Sequence, residues 1–109
     1  MATERGTRKL AAIMFTDIKA FSKKMAESED LAMQLLRVHD DTLKAAIEKF
    51  DGKIIKAIGD AFMVDFSSAV NAVKCAIESQ ENFYTYNIGK SEIEKLEIRI
   101  GIHLGDVIA

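Results

Sequence analysis

DGKIIKAIGDAFMVDF, Asp51 to Phe66, carries the decision about the fold. Two short runs rich in Ile, Phe, Val and Met, Lys53 to Ile58 and Ala61 to Phe66, flank the pair Gly59-Asp60. A glycine-first pair between two such runs predicts a tight hairpin, because glycine can take the positive φ that a type II′ turn requires. Asp60 then stands at the hairpin tip, rigid and exposed. Taken alone it reads more readily as a turn former. A second acid, Asp17, also lies at the end of a predicted strand and makes the first one worth following.

That strand is Lys9 to Thr16, KLAAIMFT, an unbroken apolar run of the kind expected of a central strand covered on both faces. A charge inside it would be costly, which places Asp17 where the strand leaves the core. Ile18-Lys19-Ala20-Phe21-Ser22 opens a short helix running to about Glu27, its first amides and dipole facing an anion near Asp17. Ser28 caps a longer helix reaching about Phe50, with Glu29 and Asp30 in its first turn. Leu31, Leu35, Val38 and Ile47 form its apolar stripe, flanked by Leu36, Leu43 and Ala46. His39 lies within it and reads as a packed or solvated residue, and Gly52 as the left-handed residue that ends the helix.

Beyond the hairpin, Ser67 or Ser68 caps a third helix to about Tyr86, with Val70, Val73 and Ile77 facing inward beside Ala69, Ala72 and Ala76. Leu96, Ile98, Ile100 and Ile102 then alternate with Glu97, Arg99, Gly101 and His103, a strand with one packed and one polar face. Gly105-Asp106 suggests a turn, and Val107 to Ala109 the opening of a further strand. The order βαββαβ, with the first helix broken in two, is the ferredoxin-like plan of the α+β class: an antiparallel sheet with helices on one face. Its central strands bring Asp17 and Asp60 together.

Composition narrows the function. A chain of 109 residues, 49% apolar and without proline, holds one core and no long linker. A net charge of -2 argues against a nucleic-acid binder, and no apolar run approaches the roughly 20 residues of a membrane span. Residues 1–8, MATERGTR, read as a solvated leader without an apolar signal segment. Cys75, the only cysteine, excludes an internal disulfide and a multi-thiolate zinc site, and makes a reducing, cytoplasmic setting the default.

Two carboxylates held close repel one another unless a cation intervenes. Hard oxygen donors without His or Cys beside them select magnesium or manganese, which substrate phosphates commonly complete. Two strand-end aspartates therefore suggest two-metal phosphoryl or nucleotidyl transfer. A ferredoxin-like ligand- or partner-binding module without catalysis is the competing reading. An RNA-binding module would want aromatics alternating on the polar sheet face, and they are missing from the last strand.

Phe15-Thr16-Asp17-Ile18 followed by Phe21-Ser22, then Lys56-Ala57-Ile58-Gly59-Asp60, then Arg99-Ile100-Gly101-Ile102-His103-Leu104-Gly105, resemble in order and spacing three signature blocks of the class III nucleotidyl cyclases. The resemblance spans residues 9–109 and implies that Asp17 and Asp60, with the backbone at Ile18, bind two Mg2+ or Mn2+ ions. It implies further that the backbone from Ile18 to Phe21 holds the triphosphate, that Lys56 contacts adenine and so favours ATP, and that Arg99 binds substrate phosphates. The reaction implied is attack of the ribose 3′ hydroxyl on the α-phosphate, giving cyclic AMP and pyrophosphate. The site is implied to form in a homodimer, with Asp17 and Lys56 serving different active sites.

Two departures stand out. Ala20 occupies a position where the family usually has glycine, which crowds the approach of the backbone to phosphate. Family members also continue past this point into a segment that supplies a second adenine-selecting residue and an Asn and Arg pair. The chain therefore reads as a truncated, N-terminal portion of the catalytic domain, folded but turning over ATP very poorly. Outside the resemblance, Lys56 reads as a solvated strand residue and Arg99 as the partner of Glu97 or another acid of the polar face.

Overall fold

A computed structural model describes Arg8 to Ile108, and side chains from Leu10 to Gly105; most of the expected leader lies outside the described residues. The elements are β1 (Arg8–Ile18), α1 (Phe21–Glu27), α2 (Glu29–Lys49), β2 (Lys53–Ile58), β3 (Ala61–Phe66), α3 (Ala69–Asn87) and β4 (Ile98–Ile108), with a 3-10 turn at Glu92–Glu94. They build the expected α+β fold, one antiparallel sheet in the order β2-β3-β1-β4. The hairpin falls on the expected residues. Gly59 takes φ 57 and Ile58 pairs with Ala61, as the type II′ expectation requires.

The helix breaks where its caps dictate. Ser28 Oγ accepts the Leu31 N–H at 3.2 Å, starting α2, and Ser68 Oγ accepts the Asn71 N–H at 3.1 Å, starting α3. Inward residues of α2 and α3 meet Ala12, Met14 and Ile18 of β1, and Phe62, Val64 and Phe66 of β3. His39 is part of this core: it is fully buried, its ring 5.3 Å from Phe62 and 6.2 Å from Phe83, and Nδ1 lies 2.8 Å from Asp40 Oδ1.

Several expectations are corrected. The helices cover only one face of β1: Phe15, on the other face, is 46% exposed, so the missing alternation reflects an apolar open face and not a second covering layer. Asp17 and Ile18 still belong to β1, and α1 begins only at Phe21, because Lys19 donates its N–H to Glu97 O (2.8 Å) and Ala20 turns the chain in a left-handed conformation. Val70, Val73 and Ile77 are exposed. Helix α3 instead buries Ala72, Cys75, Ser79 and Phe83, a face whose small residues let the helix lie close to its neighbours. Gly105-Asp106 makes no turn, since β4 pairs continuously with β1 from Ile98 to Ile108. Leu96 precedes β4, held at both backbone atoms by the Asn87 side chain, at 2.7 and 2.8 Å.

Two backbone positions carry predictions. Ala20 has φ 58, a conformation that costs an L residue about 1–2 kcal/mol and glycine none. Ala20→Gly is expected to stabilise the fold by about 0.5–1 kcal/mol once the greater freedom of the unfolded glycine chain is subtracted, read as a higher urea midpoint. After α2 the left-handed residue is Asp51 (φ 60) and not Gly52, whose role is packing. Cys75 is buried, and burial pushes its thiol up, partly offset by the Ser79 hydroxyl. It should resist a thiol reagent at neutral pH until the chain is unfolded by denaturant.

Candidate functional site

The end of the sheet where β1 leaves and the β2–β3 hairpin turns gathers the acids. Asp60 Oδ2 accepts the Ile18 N–H at 2.8 Å, so the hairpin tip is fastened to the peptide joining Asp17 to Ile18. Residues 42 apart in sequence are thereby held together. Asp17 pairs in register with Arg99 on β4, and the guanidinium grips its carboxylate with two bonds, Nε to Oδ1 at 2.7 Å and Nη2 to Oδ2 at 2.9 Å. Arg99 therefore has Asp17 for its partner, while Glu97 faces Lys19 at 3.6 Å. The Asp17 hydrogen bonds and charge, with a further contribution from Asp60, push the Arg99 guanidinium above its ordinary value.

Lys56 reaches the same face through an irregularity. The β2–β3 register shifts between Ile54 and Lys56: Ile54 pairs with Val64, which points into the core, and Lys56 with Met63, which does not. Ile55 is the extra residue, 51% exposed. In a regular strand Ile54 and Lys56 would share a face; the bulge reverses the phase and turns the lysine to the open side.

Phe15, Asp17, Lys56, Ile58, Met63 and Arg99 line a groove of about 520 Å³ on the helix-free side of the sheet. That volume lies within the ordinary range for a small-molecule site. Phe15, Ile58 and Met63 give it an apolar lining and Asp17, Lys56 and Arg99 its charges, an arrangement suited to an aromatic body with an anionic tail. Asp17, Lys56, Arg99 and the Asp60 tip are thus brought to one end of one sheet face. Phe21 stands apart, its side chain half-buried against the core, so only its backbone is placed to serve a ligand. Phe15, Met63 and Gly101 were not anticipated. Strand parity was the available signal, since Phe15 lies two residues before Asp17 and Gly101 two after Arg99.

The donor set fits hard divalent cations. Among the described residues no group of three or more His, Cys, Asp or Glu side chains is gathered, so two carboxylates are what the chain offers. Magnesium and manganese, completed by water and phosphate oxygens, accept so small a protein share.

A four-stranded antiparallel sheet with helices on one face and two acids at one end of the other defines an α+β domain of ferredoxin-like plan with a candidate metal site. The chain belongs to the adenylate and guanylate cyclase catalytic domain family, whose model matches residues 4–109. Among its relatives, the putative adenylate cyclase 3 of Rhizobium meliloti is 34% identical over 99% of this chain and 19% of its own length. The receptor-type guanylate cyclase gcy-13 of Caenorhabditis elegans is 29% identical over 89% of this chain and 10% of its own. The crystal structure of an adenylate/guanylate cyclase/hydrolase from Silicibacter pomeroyi superposes with a TM-score of 0.83 at 28% identity, covering 95% of this chain and 61% of that one. An adenylyl cyclase from P. aeruginosa gives 0.78 at 28% identity, covering 92% and 58%. The chain thus spans a fifth or less of these curated relatives and about three fifths of these solved chains. No helix of the described residues is long and apolar enough to cross a membrane.

Proposed function

We propose that this chain supplies the metal-holding part of an adenylate cyclase site that converts ATP to 3′,5′-cyclic AMP and pyrophosphate. The supporting observation is the fastening of Asp60 to the Asp17–Ile18 peptide, which holds a second acid beside the strand end where Asp17 lines a groove of ligand size. Two Mg2+ or Mn2+ ions bound there would activate the ribose 3′ hydroxyl and neutralise the departing pyrophosphate. Asp17 and Asp60 are the ion ligands, with the backbone at Ile18. The backbone from Ile18 to Phe21 and the Arg99 guanidinium hold the triphosphate. Lys56, turned to the open sheet face by the bulge, reads the adenine of a nucleotide whose phosphates a second copy holds.

The open face also suits a second copy of the chain. Phe15 and Ile58, 46% and 64% exposed, are apolar surface that a partner would cover. Asp17 of one copy and Lys56 of the other would then share one site. Mixing Asp17→Ala and Lys56→Ala chains tests this: if the two residues act across a dimer, the mixture recovers nucleotide binding that neither variant shows alone, and if they act within one chain it does not.

Turnover by these residues alone is expected to be very low, because the Asn and Arg pair implied by the resemblance has no counterpart among them and such donors are worth on the order of 10²-fold each. Measuring cyclic AMP made from Mn2+-ATP checks this. The ligand reading itself is tested by Mn2+ titration in the presence of α,β-methylene-ATP, with binding lost in Asp17→Ala and Asp60→Ala; retention in both would assign the groove to a non-catalytic module instead.

A further inference from the structure

We propose that Arg99 is a latch that keeps divalent ions off Asp17 until a nucleoside triphosphate arrives, by exchanging the Asp17 carboxylate for phosphate oxygens. The proposal rests on the nucleotidyl reading above and adds to it an order of binding.

Both Asp17 oxygens are engaged by one guanidinium at 2.7 and 2.9 Å. In this forked geometry the paired N–H donors occupy the same side of the carboxylate that a cation held by both oxygens would need. Asp60 differs. One of its oxygens is used, and its donor is a backbone N–H that carries no formal charge. An ion approaching alone therefore finds Asp60 open and Asp17 shut, with a positive charge beside it.

A triphosphate changes the balance because it presents several anionic oxygens to the same fork. The Arg99 side chain is two-thirds exposed and that of Asp17 about two-fifths, so their separation breaks no core packing. With Arg99 moved onto phosphate, Asp17 is released to the ion that the phosphate brings. Metal and nucleotide then favour each other's binding, and by thermodynamic linkage the coupling is the same whichever is added first. Arg99 stays charged throughout the working pH range, so the exchange is driven by ligand and not by its deprotonation.

The test uses the full chain, free Mn2+ counted by its electron paramagnetic resonance signal, and α,β-methylene-ATP, whose α–β linkage cannot be cleaved to release pyrophosphate. Arg99→Gln should bind Mn2+ alone about fivefold more tightly than the unaltered chain, the gain from relieving a well-formed exposed ion pair. The same variant should bind the Mn2+ complex of the analogue more weakly, and the favourable coupling between ion and analogue should shrink. Arg99→Lys, which keeps the charge and loses the fork, should fall between. Unchanged or weaker Mn2+ binding by Arg99→Gln, with the Asp17→Ala loss intact, overturns the latch and leaves the metal site standing. Absence of Mn2+ binding in every form overturns both.

Discussion

Asp60→Ala should produce the largest functional loss of any single substitution, and Asp60→Asn should reveal why. The carboxylate has two tasks. Through Oδ2 it accepts the Ile18 N–H and fastens the hairpin to β1; with its charge it would hold a cation. Alanine ends both. Asparagine keeps an acceptor oxygen for Ile18 and loses only the charge. A hydrogen bond to a charged group contributes about 1.5–3 kcal/mol, so alanine should lower the unfolding free energy by up to that amount and asparagine by less. Mn2+ binding should fall in both by on the order of 10²-fold, since Asp60 is the carboxylate left open to an ion and its charge is what each variant removes. Urea unfolding and Mn2+ titration on the two variants separate the tasks. If Asp60→Asn kept its affinity for the ion, Asp60 would be only a structural clasp.

The contrast between the two acids also bears on how far a sequence can be read. Hairpin, caps and element order were legible because each rests on local chemistry: Gly59 at a positive φ, Ser28 and Ser68 as acceptors, alternation along β4. The meeting of Asp17 and Asp60 followed from strand order. What they touch did not, because nothing local distinguishes an arginine aimed at Glu97 from one aimed across the ladder at Asp17. The inward face of α3 was misread for a related reason. Val70, Val73 and Ile77 and the smaller Ala72, Cys75 and Ser79 both recur at helical spacing, and size favoured the first set. The neighbouring elements took the second, which allows closer approach. The β2 bulge was equally hidden: an extra residue in a strand leaves no local mark, yet it decides which way Lys56 points. Ala20 is a departure visible in the sequence that the structure makes physical, as a side chain carried at φ 58.

Gly52→Ala should produce the largest loss of stability among the glycine substitutions, and a series of three shows what each glycine does. A Cβ at Gly52 would lie 2.7 Å from two atoms of the Phe66 ring and 2.9 Å from Ile47 Cγ2. Phe66 and Ile47 are both buried, so neither can step aside without disturbing the packing of β3 or α2. Overpacking of this kind costs about 1–3 kcal/mol. At about 4–8 °C per kcal/mol for a domain near this size, Tm should fall by roughly 5–20 °C. Gly59→Ala meets no atom within 4 Å but must hold φ near 57, so its cost should be about 1 kcal/mol of backbone strain at the hairpin tip. Gly101→Ala has neither problem, having open space and an ordinary φ, and calorimetry should find it nearly neutral. Its effect should appear elsewhere. Gly101 pairs with Phe15 and lies two residues from Arg99 on the groove floor, so its new methyl group occupies space a ligand would use. Weaker nucleotide-analogue binding at unchanged Tm would mark the open sheet face as the binding surface; unchanged binding would place the ligand away from Phe15.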